Sequence, residues 1–312
     1  MIRGLDRKSG QVIWEYDTGR RDPRSSFHGD PLVVGNLLLI GTDSFSGDGI
    51  YALDKDSGKL RWKARVPPGE FEALGVATDI QSLDGRVYAT SLADEVMSLS
   101  LQDGHLIWSH KSDYLQRGWI PNGTPAITKG VVFVGGLDGT ARALRTEDGK
   151  LLWNKHLGES IQTSARVVEG GVLMGTTDGK LLLLDAETGV IKKQLNLNKK
   201  PSGPIIEAEG RLLVGTDWAR ESSELMCVDT SLSQIVWKLA SPAGTFWTTP
   251  RPYVYGERVF LGSNRGGVFE YRLTDARLVR HTRVGGVIVG VRLFDDVLYV
   301  GTQGGTVYAI QR

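Results

Sequence analysis

Cysteine is all but missing from this 312-residue chain, where Cys227 stands alone. A single thiol excludes an internal disulfide, a cysteine-rich zinc site and a c-type haem attachment sequence. It leaves the redox compartment open, because an oxidising compartment permits disulfides without requiring them. Net charge is equally scarce: 37 Lys and Arg against 36 Asp and Glu give +1. That balance makes no electrostatic case for nucleic acid or an anionic membrane surface. No apolar run approaches the ~20 residues of a membrane-crossing helix, and the opening MIRGLDRKSG has no apolar core of the kind an export signal needs. Phosphate loops of the Walker or Rossmann type and a G-x-S-x-G elbow are missing too. The five histidines (His28, His105, His110, His156 and His281) are scattered singly.

Glycine is what the chain has in excess. Forty glycines without a collagen-like period, set between short apolar runs, point to many strands and many tight turns. Five segments share one pattern: GLDRKSGQVIW (4–14), ALDKDSGKLRW (52–62), SLSLQDGHLIW (98–108), ALRTEDGKLLW (143–153) and CVDTSLSQIVW (227–237). LLDAETGVIKK (183–193) and YRLTDARLVRH (271–281, a residue out of register) keep the frame without the tryptophan. Taking Trp14, Trp62, Trp108, Trp153, Lys193, Trp237 and Arg280 as equivalent, the steps are 48, 46, 45, 40, 44 and 43 residues. So regular a step means stacked supersecondary units.

Each unit reads as four strands. PLVVGN (31–36), LLLIGTD (37–43), GIYALD (49–54) and KLRWKARV (59–66) show the plan, and apolar runs of four to six ended by Gly suit strands buried on both faces. The Asp-x-x-Ser/Thr-Gly stretch is hairpin chemistry: Asp bonds its own backbone and Gly accepts a positive φ. One such sheet cannot cover its own faces, but sheets packed side by side around an axis can. Trp14, Trp62, Trp108, Trp153 and Trp237 are then wedges between neighbouring blades, each burial contributing about 2–3 kcal/mol.

The pattern Ala-x-Asp-x-x-Ser/Thr-Gly-x-x-x-Trp, best seen in ALDKDSGKLRW, resembles the tryptophan-docking repeat of the pyrroloquinoline-quinone, or quinoprotein-like, propellers. In repeat and size the chain resembles their non-enzymatic branch, the propeller lipoproteins of bacterial outer-membrane barrel assembly. The resemblance implies an all-β propeller of four-stranded antiparallel blades, of the eight-bladed type. Seven copies of each inner strand, eight of the third strand and seven of the outer strand can be read, the third strand recurring at both ends as IRGLD (2–6) and VYAIQR (307–312). The expectation is one domain over 1–312: an eight-bladed parent lacking N-terminal strands, with 1–17 a partial blade or closing strand, six full repeats over 27–284 and a C-terminal partial blade over 286–312. A closed seven-bladed ring is the alternative. The resemblance also implies a periplasmic or extracytoplasmic location, although no signal is present in this chain.

Quinone-dependent dehydrogenases of this type are implied to hold the quinone with Ca²⁺, an aspartate base and often adjacent cysteines. Cys227 alone rules out the last, and no insertion concentrates the oxygen ligands a hard cation needs. TDSFSGDG (42–49) offers Asp43 and Asp48 without EF-hand spacing. No catalytic residue, no metal site and no cofactor are therefore expected, pyrroloquinoline quinone with Ca²⁺ being unsupported. The strand plan puts Trp119, Trp218 and Trp247 on loops of one face, with Phe27, Phe45, Phe71, Tyr114 and Phe246 beside them, and such aromatics favour partner binding. His28, Asp30, Asp79, Asn122, Gln162, Ser164, Thr248 and Arg251 open the inner strands and would rim a channel on that face. The first expectation is a non-catalytic scaffold or recognition module binding a protein, or a small ligand, on this face. A quinone-dependent dehydrogenase or its degenerate relative, and a sensor domain of a larger signalling protein, are the alternatives.

Overall fold

Wherever the repeat supplies Asp-x-x-Ser-Gly, the backbone turns as that chemistry requires. In the computed structural model Ser57 donates to Asp54 Oδ1 through both its N–H (2.9 Å) and its Oγ (2.8 Å). The Gly58 N–H then closes on the Asp54 carbonyl at 2.8 Å, with Gly58 at φ 69°. Asp6, Ser9 and Gly10 repeat the arrangement. The structure describes all residues except 20–26, 28, 43–47, 67–74, 113–122, 218–219 and 248–251.

The chain divides into two compact units, one of residues 1–161 with 186–189 and the other of residues 162–185 with 190–312. The first unit begins with a two-stranded sheet, Ile2–Leu5 and Val12–Tyr16. Three four-stranded antiparallel blades follow. They are Leu32–Val34, Leu37–Gly41, Asp48–Asp54 and Leu60–Arg65; Gln81–Leu83, Arg86–Thr90, Glu95–Ser100 and Leu106–Lys111; and Ala126–Thr128, Val131–Gly135, Thr140–Arg145 and Leu151–His156. Each is a plain meander whose sequence neighbours pair.

The second unit holds three more such blades. They are Arg166–Val168, Gly171–Thr176, Lys180–Leu184 and Ile191–Asn196; Pro201–Ala208, Arg211–Thr216, Glu224–Asp229 and Ile235–Ala240; and Tyr253–Tyr255, Arg258–Gly262, Gly267–Arg272 and Leu278–Arg283. It closes with three strands, Ile288–Phe294, Val297–Thr302 and Val307–Gln311.

The expectation of an eight-bladed type is corrected. The described residues form 29 strands, fewer than eight four-stranded blades require and enough for seven. The chain is an all-β, seven-bladed propeller of four-stranded antiparallel blades. A third-strand sequence recurring at both ends signals an extra strand, not an extra blade.

Cores form where neighbouring blades face each other within a unit. In the first unit Leu39, Ile50, Ala52 and Trp62 of one blade pack against Ile80, Val87, Ala89, Met97 and Leu99 of the next. In the second, Leu173, Leu181 and Leu183 meet Ile205, Leu212, Val214, Met226 and Val228. The middle strands are covered on both faces, which is why their apolar runs do not alternate.

Candidate protein-binding face

The docking tryptophans are all set by the same local device. A register shift beside each one leaves an extra residue in the outer strand, as at Ile13 between Val12, paired with Leu5, and Trp14, paired with Gly4. Such bulges re-aim the following side chain. The indole N–H then reaches a carbonyl in the turn of the following repeat. Trp14 donates to Lys55 O (3.0 Å), Trp62 to Leu101 O (3.0 Å), Trp108 to Thr146 O (2.8 Å), Trp153 to Ala186 O (2.9 Å) and Trp237 to Leu273 O (2.8 Å). At the equivalent position Lys193 extends its Nζ to Ser231 O at 2.9 Å, so an ammonium replaces the indole donor.

The polar residues expected to rim a channel act first as staples. In the first unit the Asp30 N–H donates to Asp79 Oδ1 at 2.9 Å, and the Asp79 N–H donates to Thr124 Oγ1 at 3.2 Å. The starts of three successive blades are thereby linked. Gly29 permits this approach, since a Cβ there would lie 2.4 Å from the Thr78 carbonyl oxygen. In the second unit the Ser164 N–H donates to Gly203 O (2.9 Å) and the Gly203 N–H to Gln162 O (3.2 Å). Asp30, Asp79, Gln162 and Ser164 are half-buried.

Trp247 departs from its expected place on a binding face. It is 3 % exposed, bridges Ser263, and stands edge-on to Phe269 (5.4 Å) and Tyr271 (6.4 Å). Its sequence position is a loop, but its ring is core. Phe27 also packs inward, against the cluster of Ile2, Ile40, Tyr51 and Leu53. Trp119, Trp218, His28, Asn122, Thr248 and Arg251, with Phe45, Phe71 and Tyr114, lie outside the described residues. Lys192 pairs with Asp185 (3.0 Å) and Lys199 with Glu224 (3.0 Å).

Sequence reasoning missed a buried acid. Asp94 is 5 % exposed and accepts hydrogen bonds from the Ser112 hydroxyl and, at 3.4 Å, the Leu137 N–H. Burial pushes its carboxyl above the usual carboxylate range. Nearby, burial opposes ionisation of Asp138, but the Arg142 guanidinium at 3.0 Å outweighs it and holds that carboxyl low. The signal was only a turn residue between two apolar runs, which every blade also has.

The described residues offer a quinone with Ca²⁺ neither a reactive thiol nor a metal-binding group. Cys227 is fully buried in an apolar cluster, and that burial pushes its thiol up to about 11. Among the described residues no group of three or more His, Cys, Asp or Glu is arranged to hold a metal ion.

Docked tryptophans, stapled blade starts and regular four-stranded meanders define a quinoprotein-type propeller. The chain belongs to the family of the outer membrane protein assembly factor BamB, whose family model matches residues 1–239. Curated relatives agree. BamB of Yersinia pestis is 22 % identical over 336 residues, covering 100 % of this chain and 80 % of that protein. BamB of Salmonella typhimurium is 23 % identical over 330 residues, covering 100 % and 80 %. The solved structure of BamB from Moraxella catarrhalis superposes with a TM-score of 0.77 at 17 % identity, over 97 % of this chain and 89 % of that one, which shows the shared fold. Quinoproteins are more distant: the dehydrogenase subunit of the Gluconobacter oxydans quinone alcohol dehydrogenase is 30 % identical over 160 residues, only 46 % of this chain and 20 % of that protein.

Proposed function

We propose that this chain is a non-catalytic scaffold in outer-membrane protein assembly, working outside the cytoplasm on the periplasmic side of that membrane. The observation that carries the reading is the family match over residues 1–239. Its partner is another protein, bound through the loops that open the inner strands, without a cofactor or nucleic acid. Asp30, Asp79, Gln162 and Ser164 supply half-buried polar groups for that contact, and Trp119 and Trp218 supply its aromatic anchors, since Trp side chains concentrate binding energy at interfaces.

Exported behind a heterologous secretion signal, the chain should restore outer-membrane protein levels in a bacterium lacking its own BamB. Trp119→Ala and Trp218→Ala should each weaken capture of the purified assembly machinery while leaving the unfolding midpoint in place. Trp247→Ala should lower that midpoint, as expected for a ring buried against Phe269 and Tyr271. Full capture by the Trp119, Trp218 double variant would refute the proposed anchors, and failure to complement would refute the scaffold role.

A further inference from the structure

The inner strands have a second end. Their starts carry the staples, and their far ends turn back into the second strands through short hairpins. In the second unit a cavity of about 380 Å³ lies at that far end, where Pro201–Ala208 and Tyr253–Tyr255 neighbour each other. Its size falls within the usual range for pockets that take small molecules or single side chains, roughly 300–1,000 Å³. Ile206, Ala208 and Val254 form an apolar wall. All three also pack against the buried cluster behind them, which includes Leu213, Cys227 and Trp247, so the wall is fixed from within.

Three charged residues complete the lining: Glu207, Glu209 and Arg292. Two carboxylates against one guanidinium leave the lining with a formal charge of −1. Arg292 is held in place, its guanidinium 5.1 Å above the Tyr253 ring and donating to Val291 O at 2.8 Å. The ring beneath it is fixed in turn, because the Tyr253 hydroxyl donates to Leu293 O at 3.0 Å. Glu207 accepts from Arg166 at 3.4 Å. Glu209 differs: among the described residues no hydrogen bond or ion pair engages its carboxylate. It sits in the two-residue turn between Ala208 and Arg211, at φ 47° with Gly210 at φ 68°. That turn is left-handed at both central positions, the form that suits a tight hairpin, and it sets Glu209 against the cavity.

We propose that this cavity receives a cationic side chain, arginine or lysine, from a segment of a partner protein. The aliphatic stem lies along Ile206, Ala208 and Val254, and the charge meets Glu209. Arginine and lysine bury their methylene stems on apolar surface while the charged head stays at the rim. An anion would meet a net negative lining, and a neutral group would leave Glu209 uncompensated. That the side chain comes from a protein rests on the scaffold reading; the preference for a cation rests on the lining alone. The contact lies at the opposite end of the inner strands from Gln162 and Ser164, so it is a second docking point.

The test titrates N-acetyl-arginine amide into the isotope-labelled 312-residue protein and follows the backbone amide resonances of Gly210 and Gly256 by NMR. Saturable shifts with one shared dissociation constant are expected. N-acetyl-citrulline amide, which keeps the shape and lacks the charge, should bind about two- to fivefold more weakly or worse, the scale of one exposed ion pair. Glu209→Gln should weaken arginine binding by a similar factor without moving the unfolding midpoint. Ala208→Leu, which fills the cavity and keeps every charge, should weaken it as well. Absent saturation, equal binding of the two amides, or indifference to Glu209→Gln overturns the proposal. Glu209→Lys should abolish arginine binding and reduce capture of the purified assembly machinery. Full capture by that variant would overturn the protein occupant and leave the scaffold standing. Failed complementation by the unaltered chain would sink the scaffold reading without touching the arginine titration.

Discussion

At each docked tryptophan two residues far apart in sequence constrain each other. Gly104 needs a positive φ of 74° to make its turn, and it must also stay bare because the Trp62 ring lies 2.4 Å from any Cβ built there. Gly10 carries the first constraint, at φ 71°, without the second. Adding a methyl group to each separates the two effects. Gly10→Ala should cost about 1–2 kcal/mol, the left-handed penalty for an L-residue. Gly104→Ala adds overpacking of about 1–3 kcal/mol against the indole, so its urea midpoint should fall roughly twice as far. Equal costs would mean that the ring moves aside freely and is no wedge.

The hairpin joining third to fourth strand is the element in which sequence and structure agree most directly. ALDKDSGKLRW contained the Asp, the Ser and the Gly, and the same atoms close the turn. Such local chemistry is legible because the partners lie within four residues. The staples from Asp30 to Asp79 and from Asp79 to Thr124 were not legible as bonds, since they join residues 49 and 45 positions apart. Trp247 misled for a related reason: it lies outside the strand pattern, yet one bridge to Ser263 tucks its ring under Phe269 and Tyr271. The turn also makes a prediction about acid. Hydrogen bonds from Ser57, first from its hydroxyl and then from its N–H, hold Asp54 at about 2 against an ordinary 3.8. A carboxyl lowered on folding stabilises the fold above its unfolded value, and that stabilisation drains away as pH falls from about 4 through about 2. Ser57→Ala removes the leading cause, so the variant should be less stable at neutral pH and lose less further stability between about pH 4 and about 2 than the unaltered protein. Superimposable pH profiles would show that the turn does not sense Asp54 ionisation.

At the scale of the whole molecule, repeat period and blade plan were readable, but strand bookkeeping was not. A sequence reports how many times a strand pattern occurs, while blade number depends on which copies pair, and pairing is set by register in space. Function divides in the same way. The repeat is shared with quinone-dependent dehydrogenases and with assembly scaffolds, so the choice turns on site chemistry. A redox site needs converging oxygen ligands and a reactive group beside the cofactor. Here the one thiol is buried with its pKa pushed up to about 11, so it is neither ionised nor reachable near neutral pH. The half-buried Asp79 carboxylate accepts a hydrogen bond from the Asp30 backbone N–H, leaving less of its oxygen surface for a metal. Titrating the protein with pyrroloquinoline quinone and Ca²⁺, with tryptophan fluorescence followed by dye reduction as readouts, should therefore give neither saturable quenching nor turnover. Quenching without turnover would identify a cofactor-binding relic of the dehydrogenases. Turnover with an alcohol would overturn the scaffold reading, because it requires a metal-and-base constellation that the described blades do not contain.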